Sequence, residues 1–180
     1  MKETDNILIR AEEPGDIAAI GEVNELAFGG GGEALLVAKL REWPGFIPEL
    51  SLVAVKGGKI VGHILISPVE IAPGGGSRRA IPALSLAPMA VLPEFQNQGI
   101  GSALVRRGLE EARRLGHGIV VVVGHPHYYP RFGFEPARPR GLEAPFPVPD
   151  EAFLALELVP GALKDVKGTV VYPPAFDEVS

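Results

Sequence analysis

The stretch from about Ala83 to Val123 constrains this chain more than any other, because it reads as strand, glycine-bearing turn, helix and second strand without a break. The strand runs from about Ala83 to Leu92 and is stopped by Pro93, whose ring removes a ladder donor. Gln96-Asn97-Gln98-Gly99-Ile100-Gly101-Ser102 follows as a turn. From Gly99 to Leu115 the spacing predicts a helix, with Ile100, Leu104, Leu109, Ala112 and Leu115 inward. Arg106, Arg107, Glu110, Glu111, Arg113 and Arg114 take the outer face, and Gly116 supplies the stop. Ile119–Val123 is then a continuous β-branched run, the pattern of a strand covered on both faces. A strand, a crossover helix and a strand in this order predict parallel pairing, hence a βαβ unit.

Around that unit the period changes twice. Ile7–Ile9 reads as a short strand that breaks at Glu12-Glu13-Pro14-Gly15, with Asp16 placed to open a helix. Ile17, Ile20, Val23, Asn24, Ala27 and Phe28 recur at helical spacing until Gly29-Gly30-Gly31-Gly32, where four glycines make continuation costly in backbone entropy. That connection is expected to be mobile or ordered by ligand. Glu33 to Arg41 predicts a second helix, closed by Trp43-Pro44. Leu52–Val55, the Gly57-Gly58 turn and Ile60–Ile71 predict a hairpin, and Pro73-Gly74-Gly75-Gly76-Ser77 the next turn. Pro88, inside the third strand, predicts a local distortion. Phe153–Leu158 and Thr169–Tyr172 read as closing strands beyond a proline-rich stretch from Pro136 to Pro149.

A length of 180 residues points to one domain, and 46% hydrophobic against 22% charged residues is the balance of a chain that buries a core. A net charge of -5 disfavours a nucleic-acid partner. With no cysteine, disulfides, thiolate metal sites and a cysteine nucleophile are excluded together. No apolar run approaches a membrane span and the opening residues carry no secretory signal, so a cytoplasmic protein is expected.

The turn from Gln96 to Ser102 puts backbone N–H groups at the positive end of a helix dipole, which is an anion site. Glycines at 99 and 101 remove the β-carbons that would hold a diphosphate away. A dinucleotide fingerprint would also need glycine or alanine where Leu104 stands, and a P-loop would need Gly-Lys-Ser/Thr, so both common nucleotide motifs fail.

Met89-Ala90-Val91-Leu92-Pro93-Glu94-Phe95-Gln96-Asn97-Gln98-Gly99-Ile100-Gly101-Ser102-Ala103-Leu104 resembles the acyl-CoA signature of the GNAT N-acetyltransferases, a strand ending in V-x-P and then Q/R-x-x-G-x-G/A. Tyr129-Pro130-Arg131-Phe132-Gly133-Phe134 resembles that superfamily's Y-x-x-x-G-F motif, in the expected order. Tyr128-Tyr129-Pro130-Arg131-Phe132-Gly133-Phe134 and Pro160-Gly161-Ala162-Leu163 further resemble the YhbS-like branch.

The resemblance implies an α+β, three-layer fold: a central mixed, mostly antiparallel sheet of six or seven strands with one parallel splayed pair, flanked by helices. It implies one acetyltransferase domain over residues 1–180, with an acyl-CoA core at about 51–134 and an acceptor side from 1–50 and 135–180. Acetyl-CoA would be the co-substrate, with no metal. Its diphosphate would lie on the turn from Gln96 through Asn97, Gln98, Gly99, Ile100 and Gly101 to Ser102. Its pantetheine arm would pair with the backbone of Met89, Ala90 and Val91. Tyr129 is the matched general acid, or an aromatic packed beside Phe132 and Phe134. The activity implied is acetyl transfer to a primary amine in a ternary complex, with an acyl-CoA-binding sensor as the alternative. The acceptor is a small-molecule or peptide amine, and a homodimer stays open. The strand from Ala83 to Leu92 carries no carboxylate, where some relatives hold a base. Glu33, His125 and His127 are the remaining candidates for that role. The asparagine that many relatives place about seven residues ahead of the tyrosine is replaced by Val122-Val123-Gly124-His125-Pro126-His127.

Overall fold

The computed structural model describes residues 6–74 and 79–178. Gly75, Gly76 and Ser77 of the predicted turn lie outside the described residues. Among the described residues nine strands form one mixed sheet, β1 Ile7–Ala11, β2 Ser51–Lys56, β3 Lys59–Ala72, β4 Ile81–Val91, β5 Ile119–Val123, β6 Glu135–Pro136, β7 Leu142–Glu143, β8 Phe153–Glu157 and β9 Gly168–Val171. The order along the sheet is β1-β2-β3-β4-β5-β8-β6, with β9 pairing β3 and β7. β6 and β7 are two-residue strands inside the proline-rich stretch, and they raise the number above the six or seven expected. The helices are α1 Ile17–Phe28, α2 Gly32–Glu42, α3 Ile100–Arg114 and α4 Ala175–Glu178.

The chain forms two compact units. The first comprises the residues up to Ile66, Pro88–Glu111 and those from Pro174 on. In it β1 and β2 pair antiparallel, Ile7↔Lys56 to Ala11↔Leu52, and β2 turns back on β3 through Gly57 and Gly58, both left-handed with φ 57 and 77. Its core gathers Ile20 of α1, Leu36, Val37 and Leu40 of α2, and Val53 and Leu65 of the strands. α3 seats close to β3, where a Cβ on Gly62 would lie 3.0 Å from Leu104 and one on Gly108 would lie 2.9 Å from Ile66. The connection between α1 and α2 is tighter than four glycines suggest. Gly29 is left-handed (φ 73) and its amide closes α1 onto Glu25, while Gly31 accepts the first bond of α2, from Leu35.

The second unit comprises Ser67–Ala87 and Ala112–Pro173. Here β4 and β5 are parallel, as the βαβ reading requires, and β5 pairs antiparallel with β8 from Ile119↔Glu157 to Val123↔Phe153. Its core is Val69, Ile71, Ala83, Ile119, Val121, Phe153, Ala155 and their neighbours. Leu115 departs from expectation. It lies beyond the last residue of α3, where Gly116 (φ 92) turns the chain back, and is 38% exposed rather than inward.

Candidate acyl-CoA site

The registered β4–β5 ladder consists of Leu84↔Val120 and Ser85↔Val121, and β4 then runs six residues further, to Val91. Ser85 is therefore the last rung, and Pro88, which has no N–H to give, falls in the stretch beyond it. Within the first unit the end of β4 is tied down twice. The Leu92 amide donates to Val61 O at 2.9 Å, and the Gln96 side chain donates to Val91 O at 2.9 Å. Gln96, read as a cofactor contact, thus also braces the turn on the strand that precedes it, and one lone pair of the Val91 carbonyl is used.

From Pro93 to Phe95 the chain makes a short 3-10 turn and then reverses. Asn97 (φ 63) and Gly99 (φ 87) are both left-handed, which few side chains tolerate; asparagine and glycine are the residues that do. The Gln98 side chain donates to Glu94 O at 3.3 Å. The first α-helical bond of α3 runs from Ala103 N to Gly99 O, so the amides of Ile100 and Gly101 lie ahead of it, where a helix supplies no acceptor. Gln96, Asn97, Gln98 and Gly99 are exposed and Ile100 is buried. An open backbone surface at a helix start, with no Cβ obstruction at Gly99, fits a diphosphate. Met89, Ala90, Val91 and Gln96 through Ser102 all belong to the first unit. On the outer face of α3, Arg107 pairs with Glu111 at 3.5 Å, the ion-paired surface expected of that spacing.

Tyr129 belongs to the second unit and opens the 3-10 turn Tyr129–Phe132. Its ring sits edge-on to Tyr128 at 5.0 Å and to Phe134 at 5.7 Å, and is 8% exposed. Gly124 makes room for it: a Cβ there would fall 2.4 Å from Cε2 of the ring. Burial, with a smaller contribution from Tyr128, pushes the Tyr129 phenol up to about 12. The backbone carbonyl of His125 accepts from the Tyr128 amide at 3.1 Å and the Tyr129 amide at 3.4 Å, so this segment orients the tyrosine through its main chain. The side chains of His125 and His127 are exposed, and Glu33 is half-buried in the first turn of α2. Among the described residues none of these three side chains forms a hydrogen bond or ion pair, and no group of three His, Asp or Glu side chains is placed to hold a metal. No described helix is long and apolar enough to cross a membrane.

Two polar constellations escaped the sequence reading. On β4, the Ser85 hydroxyl bonds Tyr172, a phenol that burial raises to about 12. In the first unit, His63 of β3 is fully buried between Asn24 of α1 and Ser51 of β2. The Asn24 amide nitrogen reaches Ile20 O at 3.0 Å and His63 Nδ1 at 3.3 Å, so Nδ1 accepts and Nε2 carries the proton. Nε2 then donates to Ser51 Oγ at 3.0 Å, and the Ser51 hydroxyl donates to the Glu12 carboxylate, which Arg41 Nε also meets at 2.8 Å. Asn24 Oδ1 is buried with no protein partner. Desolvation, and then the charge of Arg41, lower the His63 pKa to about 3. A histidine in the middle of an apolar strand was the available signal; its partners on three other elements were not visible.

The His63 shift carries a stability prediction. The unfolded chain binds this proton near pH 6.5 and the folded one only near 3, so the contribution is complete above 6.5 and is lost as pH falls through that window. At pH 4 the loss from this group is about 3 kcal/mol. Denaturant midpoints of the wild type and of His63→Gln, compared from pH 7 to pH 4, should converge on acidification. Parallel curves would refute the buried neutral imidazole.

Residues 48–136 match the family model described as an acetyltransferase (GNAT) domain. The chain is 45% identical over 137 residues to the uncharacterized N-acetyltransferase YjhQ of Escherichia coli K12, covering 76% of this chain and 74% of that protein. It is 35% identical to the crystal structure of E. coli YhbS in complex with CoA, which it matches with a TM-score of 0.84 over 95% of this chain and 92% of the other. A GNAT acetyltransferase of Brucella melitensis in complex with acetyl-CoA is 34% identical, with a TM-score of 0.75 over 96% and 99% of the two chains. With identity sustained along nearly its whole length, and with the glycine turn standing between strand and helix where the motif requires it, this chain belongs to the GNAT acetyltransferases.

Proposed function

We propose that the protein transfers the acetyl group of acetyl-CoA to a primary amine by direct attack in a ternary complex. The observation that carries this reading is the left-handed turn at Asn97 and Gly99, which opens onto the amides of Ile100 and Gly101. Those amides would hold the diphosphate, with Gln96, Asn97, Gln98 and Ser102 around them. The backbone of Met89, Ala90 and Val91, beyond the last β4–β5 rung, would take the pantetheine arm as an added strand. Under this proposal residues 51–134 form the acyl-CoA core of a single acetyltransferase domain, and 1–50 with 135–180 the acceptor side.

Bound acetyl-CoA supplies a thioester, which an amine converts to amide and thiol. Tyr129 holds the proton that the departing sulfur needs, at Oη. A phenol near 12 keeps that proton at every physiological pH. Against a solvated thiol of about 8.5 the transfer would run uphill by about 5 kcal/mol. Desolvation of the departing sulfur would raise its proton affinity, as burial raises the phenol's, and narrow the gap. Tyr129 therefore contributes no titration near neutrality, and the pH dependence below 9 belongs to the amine and to the group that receives its proton. Glu33, His125 and His127 remain the side chains proposed to receive that proton, directly or through water.

Thiol release from acetyl-CoA across a panel of polyamines, amino acids and peptide N-termini tests the activity. Coenzyme A binding with no release for any amine would replace the enzyme with a sensor.

A further inference from the structure

At the tip of the β2–β3 hairpin, Lys56 and Lys59 are directly opposed in register and flank the two left-handed glycines of the turn. Directly opposed residues project from the same face of a hairpin, and like charges in that arrangement repel. Both ammonium groups lean over one ring: Lys56 Nζ lies 5.4 Å and Lys59 Nζ 5.9 Å from the centroid of Phe95. A single half-buried ring offsets little of the cost of two cations.

The other described cations of this unit are engaged. Arg10 meets Asp16 at 2.7 Å, Lys39 meets Glu178 at 2.8 Å, Arg41 meets Glu12 at 2.8 Å and Arg107 meets Glu111 at 3.5 Å; Arg106 also has a partner. Among the described residues Lys56 and Lys59 have no carboxylate in ion-pair range, in a chain with 22 acidic side chains against 17 basic ones. Phe95, the ring that collects them, is the residue immediately before the Gln96–Ser102 turn.

We propose that Lys56 and Lys59, gathered on Phe95, form the binding site for the 3′-phosphate of coenzyme A. The inference rests on reading the adjacent turn as the seat of the diphosphate, and it names a further subsite next to it. Backbone amides and the α3 dipole suit the diphosphate, whose oxygens approach the main chain closely. The 3′-phosphate is a separate group, close to a dianion at neutral pH, and needs charge that reaches out on flexible stems. Two ammonium groups with no ion-paired carboxylate among the described residues supply that. The left-handed glycine pair keeps the two stems opposed, and both ammonium groups meet the ring of Phe95, the residue next to the turn.

Calorimetric titration with coenzyme A and with 3′-dephospho-coenzyme A is the test, on wild type, Lys56→Gln/Lys59→Gln and the single Lys59→Gln variant. Wild type should bind coenzyme A about tenfold more tightly than the dephospho form. The double variant should lose that preference while keeping the dephospho affinity, and the single variant should fall between. A wild type that binds both equally, or a double variant that retains the preference, overturns the site. Equal weakening toward both ligands overturns the 3′ assignment and moves the lysines to the diphosphate. No heat with either ligand on wild type is a different failure, that of the reading of the turn itself. Thermal midpoints close to wild type confirm that the solvent-facing substitutions leave the fold intact.

Discussion

Replacing Tyr129 by phenylalanine is expected to lower acetyl transfer by about 100-fold or more while leaving coenzyme A affinity within twofold, the signature of a lost general acid. The ring itself should stay in place, because its contacts are aromatic: Tyr128, Phe132 and Phe134 lie within 6.3 Å of its centroid. What is lost is one hydroxyl proton, held by burial up to about 12. The pH profile below 9 should keep its shape in the variant, since the phenol does not titrate there. Thiol release with an accepted amine, measured across that range, decides it. Turnover equal to wild type would leave Tyr129 as packing only. Gly124→Ala is the companion change, because its new methyl would stand 2.4 Å from Cε2 of the same ring and force it to move. Overpacking of this kind costs about 1–3 kcal/mol, and activity should fall with it although the hydroxyl remains.

Gly99→Val should weaken coenzyme A binding at least tenfold. No heavy atom lies within 4 Å of a Cβ built at Gly99, so steric clash within the protein is not the cause. The cause is φ +87, which a β-branched residue adopts only under strain. The left-handed conformation costs an ordinary residue about 1–2 kcal/mol, and relaxing it would swing the amides of Ile100 and Gly101 out of alignment. Stability should change by no more than that strain, so a calorimetric loss of affinity with a near-native melting transition separates the two effects. Unchanged affinity in a folded Gly99→Val protein would remove this turn from the binding site.

The βαβ unit, the glycine turn and the α3 face were legible because each is encoded over a short span. A proline ends the strand, glycine permits the turn, and apolar spacing at 100, 104, 109 and 112 sets which side of the helix is buried. The same local logic misplaced Leu115, since periodicity does not say where a helix stops being covered. It also missed β6 and β7, which are held by β8 and β9 rather than by their own sequence.

The candidate site divides along the same line. Gly99 announces itself as the residue without a β-carbon in a turn ahead of a helix, whereas the left-handed conformation it shares with Asn97 is seen only in the folded chain. Tyr129 was named by its motif, but its buried phenol and the space cleared by Gly124 exist only once the loop has folded. Asn24, Ser51, His63 and Glu12 come from α1, β2, β3 and the segment after β1, and no spacing in the chain relates them. Lys56 and Lys59 are ordinary hairpin residues until the sheet brings them over Phe95. Glycine turns and periodicity are properties of neighbours along the chain, so sequence alone determined them. Desolvation, proton affinity and unrelieved charge depend on what surrounds a group in space, and those were decided by the tertiary structure.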